Sequence, residues 1–283
     1  MIKPLAFWML FTLIAPLTHA TGSVRLVVLA PDIAHNLIAI GAGDNIVGII
    51  DNPALKTTLP QAQVVGDYQL INIESVLSLE PDYIIVWDGG NSEVQLSRLE
   101  ALGFKLVRVK SNRLEDLPKQ WQQLAELVGK ETNAAQMSAQ FSHALEQFDA
   151  RSQQSVRVFY QLWHSPLMSV NREGLISEIL TLCGAENVMA LASEPYPQIG
   201  TETVLAAEVD LILASDEAPD DWPLRWKNWP DIPAVKHDQL YTVETDYLHQ
   251  LTNDTLKGIN QVCSAVEQAR KVKEQGSANS VNG

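Results

Sequence analysis

Large flat side chains at loop positions are the residues with the clearest chemical meaning in this chain. Aromatic residues make up only 7% of it, yet Tyr68, Trp87, Trp163, Tyr196 and Tyr247 fall where the pattern predicts loops. Gly66-Asp67 precedes Tyr68, and Pro195 and Pro197 flank Tyr196, contexts that favour turns over core. Such rings bury a large area at little entropic cost, so a lined cleft would suit a bulky, partly apolar ligand. Three histidines, His35, His164 and His249, together with Asp246, could in principle meet as a nitrogen and oxygen site for zinc or manganese, although each stands alone in sequence. The chain has no His-Glu-x-x-His, no Gly-x-Ser-x-Gly and no phosphate-cradling glycine loop. A binding protein, not an enzyme, is therefore expected, with no catalytic cofactor.

The first twenty residues read as a secretory leader: Lys3, an apolar stretch from Pro4 to Pro16, and Thr18-His19-Ala20 at the cleavage position. Export places the chain in the periplasm, and no later segment is apolar enough to insert in a membrane. In that oxidising compartment Cys183 and Cys263, the two cysteines of the sequence, are expected to pair, with two buried thiols as the alternative. A formal net charge of −14 argues against nucleic acid or an anionic membrane as partner. A soluble monomer is expected.

Elements that would position the rings follow an α/β grammar. Short β-branched runs (Val24–Leu29, Ile46–Ile50, Tyr83–Trp87, Phe104–Val109) alternate with helical stretches, and the same grammar restarts at Val156–Leu162. Between the two series, from Leu117 to Gln153, proline and glycine are nearly absent, which favours helix; one connecting helix is predicted from Glu131 or Thr132, capped by Thr132 or Asn133. The predicted organisation is two Rossmann-like lobes joined by a single long α-helix, with the ligand cleft between them. Residues 21–128 form the first lobe, 129–154 the connecting helix and 155–270 the second lobe, followed by a disordered tail over 271–283.

An internal repeat supports the two lobes. The fifteen residues Glu74–Asp88 align without gaps on Glu202–Asp216, with seven identities. Each copy reads as a short helix, a tight turn at Glu-x-Asp and a buried strand ending in an acid. Ligands of such sheets bind beyond the carboxyl ends of the strands. Glu74 and Glu202 become equivalent acids of the two lobes.

Asn72-Ile73-Glu74, Leu79-Glu80-Pro81-Asp82, Trp87-Asp88-Gly89-Gly90-Asn91, Cys183–Asn187 and Pro195-Tyr196-Pro197-Gln198 together give the chain a resemblance to a known group. Over nearly all of its length after the leader it resembles the periplasmic cobalamin-binding proteins, within the helix-linked class that also serves siderophores and haem. The resemblance implies that cobalamin is the transported ligand, with contacts at Tyr68, Trp87, Gly89, Met168, Tyr196, Asp246 and Gln250. Tyr68 stands where the family usually has Trp, Met168 where it has Phe, and Gln250 where better-known members have Arg. It further implies that Glu74 and Glu202 dock against arginines of the permease subunits of an ABC importer. A ferric-siderophore or haem receptor is the alternative, disfavoured by the scarcity of basic residues near the expected cleft, where Arg172 is the nearest candidate.

Overall fold

The structure is a computed structural model that describes residues 22–148 and 154–281; the leader of the sequence reading lies outside these residues. Two parallel sheets form the centres of two α/β lobes. The first lobe comprises β1 (Leu26–Val28), α1 (Pro31–Ala39), β2 (Ile46–Ile49), α2 (Pro53–Thr58), β3 (Gln63–Val64), α3 (Ile73–Ser78), β4 (Tyr83–Trp87), α4 (Glu93–Ala101) and β5 (Leu106–Val109). Its sheet order is β3-β2-β1-β4-β5. Two helices follow, α5 (Asp116–Val128) and α6 (Glu131–Glu146).

In the second lobe, β6 (Val156–Gln161) leads into a hairpin of β7 (Trp163–His164) and β8 (Leu167–Met168). Then come α7 (Leu175–Leu182), β9 (Ala185–Asn187), α8 (Thr201–Ala206), β10 (Leu211–Ser215), α9 (Trp222–Trp226), α10 (Pro233–Lys236), β11 (Leu240–Val243), α11 (Thr245–Leu248) and α12 (Thr255–Val281). The sheet order β9-β6-β10-β11 matches β2-β1-β4-β5 of the first lobe, so the repeated segments lie in separate sheets at equivalent places.

Alternation along the strands decides which face each residue serves. Leu26 and Val28 turn inward and share one continuous core with Trp121, Phe141, Val156, Val158, Tyr160 and the start of α12. Val27 and Leu29 face the opposite way, into an outer cluster with Val76, Ile84 and Leu96. Phe159, Ile212 and Trp226 form the corresponding outer cluster of the second lobe. At the centre of the shared core lies a polar node. Fully buried Asn36 donates to Gln120 Oε1 (2.8 Å) and to the Leu251 carbonyl (2.9 Å), and its Oδ1 accepts from Trp121 Nε1 (2.9 Å). Because Leu251 belongs to the second lobe and Asn36 to the first, this node ties the two together. Each of these groups would cost more unpaired in the interior than its bond contributes.

The helical stretch between the series holds α5 and then α6, which begins at Glu131, one of the two starts expected for the connecting helix. Gly129 adopts φ 68° and caps α5, and α6 starts two residues later. Neither residue expected to cap α6 does so: Lys130 holds the N-cap position, and Asn133 Nδ2 donates to the Ile40 carbonyl (2.9 Å). Residues 149–153 of the expected connecting helix lie outside the described residues. The tail also differs from expectation, since α12 continues through Lys271 to Val281. Arg270, only 4% exposed, anchors that helix by donating to the carbonyls of Gln154 (2.9 Å) and Cys183 (2.9 Å), and Lys273 pairs with Asp210 (2.7 Å). No proline follows residue 255, so no residue that cannot donate to the helix ladder breaks it once these anchors hold it. Cys183 and Cys263 form a disulfide that fastens the end of α7 to α12.

Candidate ligand cleft

The carboxyl ends of β1 and β4 meet α7 and the segment after α11 around a cleft of about 560 Å³. The first lobe supplies Ala30, Pro31, Asp32, Tyr68, Trp87, Gly90, Asn91, Ser111 and Asn112, and the second Glu173, Pro195, Tyr196, His249 and Gln250. Its lining contains no lysine and no arginine.

Each ring has a built seat. Trp87 ends β4, and its backbone N–H donates to Asn91 Oδ1 (2.7 Å) while Asn91 Nδ2 donates to the Leu29 carbonyl (3.0 Å). Gly89 turns the chain at φ 89°, and the indole folds over Gly90, where a Cβ would overlap the ring. The Trp-x-Gly-Gly-Asn run is thus a holder for one side chain. Tyr68 sits on a turn whose Asp67 Oδ1 accepts from the N–H groups of Gln69 and Leu70 (both 2.8 Å), bonds that hold the Asp67 carboxyl below its usual range. Gln95 clamps the same turn, accepting from Ile71 N–H and donating to the Gln69 carbonyl (both 2.6 Å). Tyr196 rides on a segment strapped to the β8 exit, with Ser169 N–H bonded to the Pro197 carbonyl (3.1 Å) and Asn171 N–H to that of Pro195 (3.0 Å).

Four of the residues expected from the resemblance, Tyr68, Trp87, Tyr196 and Gln250, therefore line the cleft. Three lie elsewhere. Gly89 shapes the turn beside it; Met168 pairs with Gln198 and backs the Tyr196 segment; Asp246 lines a neighbouring pocket with His35, Asn52, Tyr247 and Asp254, of which Gln250 is the shared wall. Trp163 lies on the β7–β8 hairpin against His164, with ring centroids 5.1 Å apart.

The histidines do not converge. His35 lines the neighbouring pocket, His164 a small pocket with Arg225 and Trp229, and His249 the cleft itself. Among the described residues no group of three or more His, Cys, Asp or Glu could hold a metal ion. Arg172 lines a separate pocket with Arg113. Burial pushes the Asp32 carboxyl above its usual range and the His249 imidazole below its own, although Glu217, Asp216 and Asp246 act the other way on His249. Sequence reasoning treated His249 only as a metal candidate; Ser111, Asn112 and Glu173 carried no signal at all.

A profile of the family described as "Periplasmic binding protein" matches residues 26–247. The chain belongs to the periplasmic binding protein family. A vitamin B12-binding protein of Vibrio cholerae is 29% identical over 273 residues, covering 95% of this chain and 99% of the relative. One of Vibrio vulnificus is 30% identical over 252 residues, covering 87% and 92%. The solved structure of the periplasmic vitamin B12 binding protein BtuF of Vibrio cholerae superposes with a TM-score of 0.78 at 29% identity, covering 88% of this chain and 98% of that one. A haem-binding protein from Roseiflexus shares the fold at 20% identity and a TM-score of 0.74. Among the described residues, no helix of this family member is long and apolar enough to cross a membrane.

Proposed function

We propose that the protein captures cobalamin in the periplasm and delivers it to an ABC importer of the inner membrane. One observation carries the reading: three rings from both lobes surround a cleft whose remaining polar lining is mostly uncharged. Tyr68, Trp87 and Tyr196 are 65%, 43% and 63% exposed, an arrangement that leaves apolar surface in water until a broad ligand covers it. Asn91, Ser111, Asn112 and Gln250 offer donors and acceptors suited to amide side chains. An anionic ferric siderophore would find no lysine or arginine among the described residues that line it. The names of the relatives at 29 to 30% identity agree with this ligand. Mixing the purified protein with cyanocobalamin and desalting should give a protein peak that carries corrin absorbance; a colourless peak overturns the assignment.

Delivery rests on Glu74 and Glu202. Both are exposed, and each is the second residue of a six-residue helix, α3 or α8, that leads into an equivalent strand. We read them as the paired carboxylates that meet arginines on the two permease subunits. Reversing both charges should abolish uptake and leave ligand affinity unchanged. A parallel loss of affinity would place the two acids in the binding site instead.

A further inference from the structure

We infer that His249 is a ligand-contacting residue which Tyr160 fixes as a donor, with its proton on Nδ1, so that it recognises a carbonyl-type acceptor and does not ligate the metal of the guest. The inference rests on the cobalamin reading for the identity of that guest, and on the Tyr160 contact together with the burial around it for the state of the imidazole.

Tyr160 lies in β6 with no exposed surface, and its hydroxyl is 2.8 Å from His249 Nε2. Burial, with Asp216 and Glu217 nearby, holds this phenol well above its usual range, so the O–H keeps its proton. Among the described residues that hydroxyl has no other partner. A buried O–H left without an acceptor is costly, so it donates to Nε2. In a neutral imidazole one nitrogen accepts and the other donates; with Nε2 accepting, the proton resides on Nδ1. Burial lowers the imidazole's basicity, which keeps it in that neutral form near pH 7.

The ring is held in place as well as in charge state. Its plane meets that of Tyr160 at 77°, and the backbone N–H of His249 donates to the Thr245 carbonyl (2.7 Å). His249 remains exposed on the cleft side, next to Gln250. Nδ1 makes no hydrogen bond among the described residues, so its N–H is left for the ligand. The amide carbonyls of a corrinoid are acceptors of the matching kind. A nitrogen that bears a proton has no lone pair to give to cobalt or iron, so the same tautomer that favours an amide-rich guest excludes axial ligation.

The test has two independent arms. In ligand-free protein labelled with nitrogen-15, long-range proton–nitrogen spectra should show His249 Nδ1 as the protonated nitrogen; a proton on Nε2 overturns the inference whatever the ligand. In titrations with cyanocobalamin, His249→Ala should weaken binding about tenfold, the size of one hydrogen bond. His249→Asn, whose amide N–H reaches nearly the same point, should restore much of it. Aquocobalamin bound to the unaltered protein should keep its water-ligated spectrum, and a shift to an imidazole-ligated one would overturn the inference. If the unaltered protein bound no corrinoid, the cobalamin reading would fail while the nitrogen spectra still decided the tautomer. Equal affinity of the alanine variant and the unaltered protein would instead remove His249 from the site and leave cobalamin in it.

Discussion

The two copies of the helix, turn and strand unit are alike where the strands begin and unlike where they end. Glu80 and Glu208 adopt left-handed φ of 43° and 44°. Just after them Asp82 and Asp210 each accept from the N–H of an arginine, Arg25 or Arg157, at 2.8 Å. The likeness lasts to the last acid of the repeat, since the N–H groups of Asp88 and Asp216 bond the carbonyls of Val109 and Val243 (2.8 and 3.0 Å). Past that point the lobes part. Asp88 leads into the glycine turn that seats Trp87, whereas Asp216 Oδ1 accepts from Thr245 N–H (3.0 Å) and Oγ1 (2.7 Å), fixing α11 and with it His249 and Gln250. Duplication thus supplies two similar scaffolds, and the strand exits, free of the register that the sheets impose, diverge to grip an asymmetric guest.

The largest effect tests whether the lobes are separable at all. Trp121, fully buried, touches the shared core and bonds Asn36. Trp121→Ala should cost about 3 to 5 kcal/mol, the usual range for emptying a buried aromatic site. Chemical denaturation followed by circular dichroism should still show a single transition, moved to lower denaturant. Two resolved transitions would show that the shared core does not unite the lobes, and the comparison would become one between independent domains.

Next in size is the contrast between the rims. Trp87→Ala and Tyr196→Ala should each weaken cyanocobalamin binding about thirtyfold, equivalent to roughly 2 kcal/mol of lost ring contact. Gly90→Ala should act on only one rim. Its new methyl group would push the indole from its seat, so affinity should fall nearly as far as in Trp87→Ala, with little change in stability because the site is open to solvent. Affinity unaltered by Gly90→Ala would mean that the indole binds ligand from some other position.

The difference between entries and exits also explains what could be read from sequence. Buried strands carry their own pattern, and the fifteen-residue repeat announced two lobes because both copies obey the same packing and the same Glu-x-Asp turn. Tyr68 and Tyr196 were legible through their glycine and proline neighbours, and Trp87 through the motif that holds it. His249 was legible as an imidazole but not as a donor, since its role depends on Tyr160, 89 residues away in sequence. The start of α6 was legible because Gly129 closes the preceding helix, whereas its cap was not, since Asn133 turns instead to the Ile40 carbonyl. The helical tail needed Arg270 and Lys273 to find carbonyls and a carboxylate of a distant strand, which no local pattern records.

The smallest effect probes the likeness itself. Outside the left-handed region a glutamate turn would need no special tolerance, but at φ 43° and 44° a Cβ is strained by about 1 kcal/mol, and glycine is not. Glu80→Gly and Glu208→Gly relieve that strain while loosening the unfolded chain, so each should change stability by less than about 1 kcal/mol. Glu208 also lies 3.8 Å from Arg157, an exposed contact of little expected consequence. If the two turns are equivalent, the two variants should shift the denaturation midpoint in the same direction and by the same amount, and the double variant should shift it by the sum, because the sites lie in different sheets. Opposite signs would show that the turns share a shape without sharing an energy, and that the resemblance at the strand entries is a matter of backbone path alone.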